Sequence, residues 1–222
     1  MEQLLEQIIT QIKATQTLEW LAALFGVISV LFAQRNHIFL YPSGLVSTGI
    51  YAYLWSRSEA ALYAEALLNL YYFVMTLYGW WHWQKGKDAR QIPISVCTQR
   101  DGWLVFSIVS GLWLLLYLLL LQTNSTVPVL DSFVSASACA GMWLLARRKL
   151  ENWLLLNLSN LVAIPLMMYK GYYVTTGLTV VLFVAAIFGY RHWRTLYAIS
   201  KAEDMKIAED ARPEESFRTG DP

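Results

Sequence analysis

The groups in this chain that could do chemistry fall almost entirely in stretches too apolar to face water. Within 60–83, Glu65, Asn69, Tyr72 and Thr76 recur at i, i+4, i+7 and i+11, which places a carboxylate, an amide, a phenol and a hydroxyl on one helical face. Asp131, Ser135 and Ala138 repeat the start of that spacing in 127–146. Trp153, Asn157 and Asn160 follow in 152–169, Thr175, Thr176 and Thr179 in 172–191, and Tyr41, Gly44, Thr48 and Tyr51 in 38–55. A polar group at membrane depth is costly and is by default a functional candidate. Rings, amides and a carboxylate together suit a flat heteroaromatic solute, stacked on aromatic faces, hydrogen-bonded at its edge and carrying positive charge. The competing reading is that Asn, Ser and Thr only join helices, at about 0.6 kcal/mol each. That reading is preferred for each Ser and Thr, and the site reading for Asn69, Asn160 and Glu65. Trp80, Trp81 and Trp83 cluster at the end of the third apolar stretch, where an interfacial belt competes with a gate. Tyr41, Tyr51, Trp80 and Trp83 are the gate or interface candidates.

Catalysis has less support. No GxSxG, P-loop, HExxH or CxxC pattern occurs. His82 and His192 have no Cys, His or carboxylate at ligand spacing, so neither metal nor cofactor is expected. A membrane enzyme using Glu65, Asp131 or a His would need a second group within hydrogen-bond reach, which spacing does not supply. It stays a remote alternative.

The elements that must position these residues are set by composition. Of 222 residues 56% are apolar and 15% charged, against about 45–50% and 25% in soluble domains. Residues 200–222 hold 11 of the 33 charges, which leaves windows of about 20 residues nearly free of charge, the length a spanning helix needs. A net charge of +1 excludes nucleic acid as an electrostatic partner. Cys97 and Cys139, one in a charged loop and one in an apolar span, imply no disulfide framework. The pattern predicts an all-α integral membrane protein with spans at 18–33, 38–55, 60–83, 103–121, 127–146, 152–169 and 172–191. The first residues lack the basic start of a signal peptide, so the first span is expected to stay. Residues 1–17 form a leader that is either a short helix with Leu4, Leu5, Ile8, Ile9 and Ile12 on one face or a frayed polar segment. From Ser200 the alternating charges predict a solvated, disordered tail. With seven spans, 14 Lys/Arg fall on one side and 3 on the other. The amino end is therefore expected outside and the carboxyl end in the cytoplasm.

Two stretches recur. YGWWHW (78–83) lies over FGYRHW (188–193) at an offset of 110, which pairs Gly79 with Gly189, His82 with His192 and Trp83 with Trp193. RNHIFLYPSGLVSTGIYAY (35–53) lies over LENWLLLNLSNLVAIPLMMY (150–169) at an offset of 116, which pairs Asn36 with Asn152, Ser43 with Ser159 and Tyr53 with Tyr169. The expected organisation is a three-helix repeat at 18–83, a loop and linker helix at 84–126, a second repeat at 127–193 and a charged tail at 194–222. Parallel repeats about an axis along the membrane normal are a transporter design, with the site between them near midplane.

LYAEALLNLYYF (62–73), YGWWHW (78–83), LARRKLENWLL (145–155) and FGYRHW resemble the PnuC family of bacterial vitamin transporters over about residues 30–195. The resemblance implies a three-plus-one-plus-three helix arrangement related to SWEET sugar transporters, a homotrimer and location in the bacterial inner membrane. It also implies facilitated diffusion, with a cytoplasmic kinase trapping the vitamin by phosphorylation. Nicotinamide riboside transporters of the family read WxxW and then Asn in the sixth span. Trp153 and Asn160 fit, but Leu156 replaces the second Trp, with Asn157 beside it. Asn69 stands where Gln is usual, and Thr179 where Tyr is frequent. These departures lead to the expectation of a changed ligand: thiamine first, as in the PnuT branch, with nicotinamide riboside or riboflavin as the alternative.

Overall fold

The computed structural model describes residues 2–56, 63–85, 93–123 and 125–210, and these are helical except for turns and one isolated bridge. The helices are α1 (Glu2–Ala14), α2 (Thr17–Gln34), α3 (Leu40–Ser56), α4 (Tyr63–Gln84), α5 (Gln99–Leu120), α6 (Pro128–Ala146), α7 (Asn152–Tyr169) and α8 (Tyr173–Asp210). Local chemistry sets their ends. Thr98 and Asp101 form a reciprocal capping box at the start of α5, and Pro128 opens α6, where its missing N–H costs nothing. Gly171, at φ 76, turns the chain between α7 and α8.

Of the seven expected spans, α2, α5, α6, α7 and α8 are long and apolar enough to cross a bilayer. The other two are helices in the expected places but fall below that measure. α3 has only 17 residues, with Ser43, Ser47 and Thr48 among them, and α4 spends much of its length on Tyr, Trp, Asn69 and His82. The leader is helical, and its exposed Leu5, Ile9 and Ile12 point away from the bundle. Gln11 ties it to the α7–α8 turn, donating to the Gly171 carbonyl at 2.6 Å and accepting from the Val174 amide at 3.3 Å. The disordered tail is corrected as far as Asp210: α8 runs on unbroken. Lys201 with Asp204, and Lys206 with Glu209, stand three residues apart, where opposite charges support a helix by about 0.2–0.5 kcal/mol per pair.

α3 packs on α2 and α4, and α7 packs on α6 and α8. These two sets meet through α2 on α8 and α4 on α6, and α5 lies outside them, packed on α6 without a buried residue. Individual interactions recur in both sets. Ser47 Oγ donates to the Ala22 carbonyl and Ser159 Oγ to the Val134 carbonyl, each at 2.8 Å. Asn36 and Arg148 both take φ 53 where α2 and α6 end. Each of these pairs is 112 positions apart. The expected offset of 116 between the stretches 35–53 and 150–169 is therefore one helical turn too long. A slip of four residues keeps the same face of a helix at 3.6 residues per turn, so residue matching alone tolerates it.

The interior loop returns to the bundle before α5. The Ser95 amide donates to the Arg148 carbonyl and the Leu150 amide to the Ser95 carbonyl. Glu151 Oε1 accepts from the Cys97 amide, and Lys149 pairs with Asp101 at 2.9 Å. Burial and the neighbouring Glu151 push the Cys97 thiol up to about 12, so it stays protonated and unreactive at neutral pH.

Candidate functional site

Between the two helix sets lies a cavity of about 320 Å3, inside the range of about 300–1,000 Å3 that small-molecule sites occupy. α3 and α4 contribute Tyr41, Gly44, Ser47, Thr48, Tyr51, Asn69, Tyr72, Met75 and Thr76. α6 and α7 contribute Ala138, Met142, Leu145, Trp153, Leu156 and Asn160. α2 and α8 supply a wall of Ala, Gly, Val and Leu residues with Ser29, whose hydroxyl donates to the Leu40 carbonyl. The lining is apolar and aromatic with a few amides and hydroxyls, the composition that orients a ring-bearing solute by a small number of hydrogen bonds.

The expected site residues divide. Asn69, Tyr72, Trp153, Asn160, Tyr41 and Tyr51 all line this cavity. Asn157 and Thr179 do not: the lining positions are Leu156 and Leu178, and one residue further along turns a helix by about 100°. The Thr179 hydroxyl donates instead to the Thr175 carbonyl one turn back, at 2.8 Å. Asn157 Oδ1 is buried and finds no hydrogen-bond partner among the described residues. Asp131 is occupied elsewhere. Both its oxygens accept from Lys170 Nζ at 2.6 Å, one also accepts from Ser125 Oγ, and the pair ties the start of α6 to the α7–α8 turn. The side chain of Glu65 lies outside the described residues. Trp80 and Trp83 do not line the cavity. Trp83 is buried behind Tyr41, with ring centroids 5.1 Å apart, and Trp80 packs against the same cluster.

Trp153 is buried, at 1% exposed. Its ring covers Gly189 so closely that a β-carbon there would fall 2.7 Å from it, and Gly79 stands in the same relation to Tyr41 at 2.5 Å. Leu156 likewise fills the space above Gly141. The wall of α2 and α8 escaped the sequence reading because Ala22, Gly26, Ala33 and Ala186 carry no polar signal. Their small size at helical spacing was the available sign. Glu19, which the sequence reading did not weigh, is a half-buried carboxylate one turn before the lining Ala22 and Ala23 and does not itself line the cavity.

Leu156→Trp is expected to separate ligands by size. In Leu156→Trp the larger ring has Gly141 at its back and must grow into the cavity. Overpacking of about 1–3 kcal/mol should weaken a three-ring solute such as riboflavin roughly 5- to 150-fold. Titration of both proteins with riboflavin and nicotinamide riboside measures this, and equal losses for the two solutes would contradict it.

The family model described as Nicotinamide mononucleotide transporter matches residues 16–195. The chain is 23% identical over 206 residues to the nicotinamide riboside transporter PnuC of Escherichia coli (strain K12), covering 79% of this chain and 85% of that protein. It is 22% identical over 179 residues to the riboflavin/roseoflavin transporter RibM of Streptomyces davaonensis, covering 77% and 81%. The crystal structure of the vitamin B3 transporter PnuC superposes with a TM-score of 0.66 at 23% identity, covering 88% of each chain.

Proposed function

We propose that this chain, which belongs to the nicotinamide mononucleotide transporter family, carries nicotinamide riboside across the membrane. The observation that carries this reading is the placement of Asn69 and Asn160, one from each helix set, on a single cavity with Trp153, Tyr41, Tyr51 and Tyr72. An amide from each side can bond the carboxamide and sugar of a pyridine nucleoside, and the rings can stack on its cationic base. Thiamine, the first expectation, finds no support in the relatives, whose names specify nicotinamide riboside and riboflavin. One of the three departures behind it, Thr179, also lies off the cavity lining. Riboflavin is a second reading, favoured by RibM and by the room that Leu156 leaves.

In this reading α2–α4 and α6–α8 are two parallel repeats joined by α5, and the matched pairs at an offset of 112 support it. The unequal Lys/Arg distribution supports an external amino end and a cytoplasmic carboxyl end in a bacterial inner membrane. The family resemblance supports a homotrimer and trapping of the vitamin by a cytoplasmic kinase. Facilitated diffusion without an ion gradient is the mode this reading expects, supported by the family resemblance and by the commitment of Asp131 to Lys170. Proteoliposomes should therefore take up nicotinamide riboside in both directions, with uptake unchanged when proton or sodium gradients are collapsed. Accumulation against a gradient in the absence of a kinase would contradict facilitated diffusion.

A further inference from the structure

At the end of the molecule that carries Arg35, Arg147, Arg148 and Lys149, the cavity is stopped by four aromatic rings. Tyr41 meets Trp83 edge-on at 5.1 Å, Trp83 meets Trp193 at 6.3 Å, and Trp193 meets Trp153 edge-on at 5.7 Å. None of the four is more than 5% exposed. Trp83 and Trp193, 110 positions apart, do the same thing in opposite directions. Trp83 Nε1 on α4 donates to the Ala146 carbonyl at the end of α6, at 3.1 Å. Trp193 Nε1 on α8 donates to the Ala33 carbonyl at the end of α2, at 2.8 Å. Each indole thus joins one helix set to the other by a hydrogen bond to a carbonyl in the last turn of a helix. The Ala33 carbonyl also accepts from the Asn36 amide at 3.0 Å.

The other two rings are left incomplete. The Tyr41 hydroxyl and Trp153 Nε1 are buried, and neither has a hydrogen-bond partner among the described residues. A permanent core pairs such groups, because an unpaired buried donor is costly. Here the cost falls on the closed arrangement and lowers the free energy needed to leave it. Ile94, from the returning loop, is buried in the same cluster, so opening must also displace the segment 93–98 that holds it.

We propose that Trp83 and Trp193 are paired latches of a gate at the Arg-bearing end, and that releasing both indole hydrogen bonds opens the cavity there. The inference rests on the transporter reading but not on which vitamin is carried, and it can be tested without substrate. In the full-length protein with Cys97→Ser and Cys139→Ala, Leu182→Cys places a thiol on the cavity wall. A membrane-impermeant maleimide is applied separately to each face of oriented vesicles. Trp83→Phe and Trp193→Phe keep a ring but remove the donor. Each should raise labelling from the Arg-bearing face roughly 2- to 13-fold, the factor set by one net hydrogen bond. Trp103→Phe, on the exposed flank of α5, should change nothing. Unchanged labelling in both latch variants, or a rise confined to the opposite face, overturns the proposal. If neither variant folds, the Leu182→Cys protein with intact latches decides. Labelling from the Arg-bearing face must be the slower of the two, and equal or faster labelling there overturns the latches. Loss of nicotinamide riboside binding with latch behaviour intact would instead count against the substrate assignment alone.

Discussion

Trp153→Ala should cost about 3–5 kcal/mol of stability and, in the protein that still folds, most of the affinity for the vitamin. Three of its contacts disappear together. The ring covers Gly189, meets Trp193 edge-on at 5.7 Å and forms part of the cavity wall. Aromatic pairing alone is worth about 0.5–1.5 kcal/mol beyond area, and the void beneath has a glycine floor that cannot collapse into it. Trp153→Phe keeps a ring over Gly189, so it should retain most of the stacking and lose less than half as much stability. Thermal unfolding in detergent, with titration of the folded fraction, separates the two effects. A small stability loss in Trp153→Ala would mean that the ring is a mobile wall rather than a core element.

Asn160→Leu should leave the fold in place and weaken ligand binding selectively, and Asn69→Leu should weaken binding while also removing an interaction that Asn69 makes within the protein. Both side chains are half-buried on the cavity, where an isosteric apolar group removes a hydrogen bond without opening a void. One neutral hydrogen bond is worth about 0.5–1.5 kcal/mol, and one to a charged group about 1.5–3. The expected loss is therefore roughly 2- to 150-fold in affinity. Asn157→Leu, one residue off the lining face, provides the comparison and should lose less than Asn160→Leu. Equal losses at 157 and 160 would mean that the face of α7 turned to the ligand differs from the one seen here.

What the sequence disclosed, and what it hid, follows from how each signal is generated. Apolar windows with charged borders locate helices well, so α2 to α8 lie close to where hydropathy puts them. The continuation of α8 to Asp210 was hidden because spaced opposite charges stabilise a solvated helix and mimic a disordered tail at once. Periodicity found the faces but not their last 100° of rotation. Asn69 and Tyr72 line the cavity as their spacing requires, whereas Asn157 and Thr179 sit one residue past the lining positions. Asp131 was a candidate site residue in the sequence because Lys170, its partner, is 39 residues away in sequence and adjacent only in space. The offset of 110 between YGWWHW and FGYRHW was legible since Gly79 and Gly189 each have an aromatic ring resting on them. The offset of 116 was misleading, since helical faces repeat every turn; the Ser47 and Ser159 hydrogen bonds and the matching φ of Asn36 and Arg148 fix the register.

The central claim is that a vitamin binds between Asn69 and Asn160, and titration calorimetry on purified protein tests it most directly. Wild-type protein should bind nicotinamide riboside with one site per chain, more tightly than riboflavin or thiamine, and Asn69→Leu and Asn160→Leu should each lower that affinity. Tight binding of thiamine with none of nicotinamide riboside would contradict the substrate, and nicotinamide riboside binding indifferent to both asparagines would contradict the site.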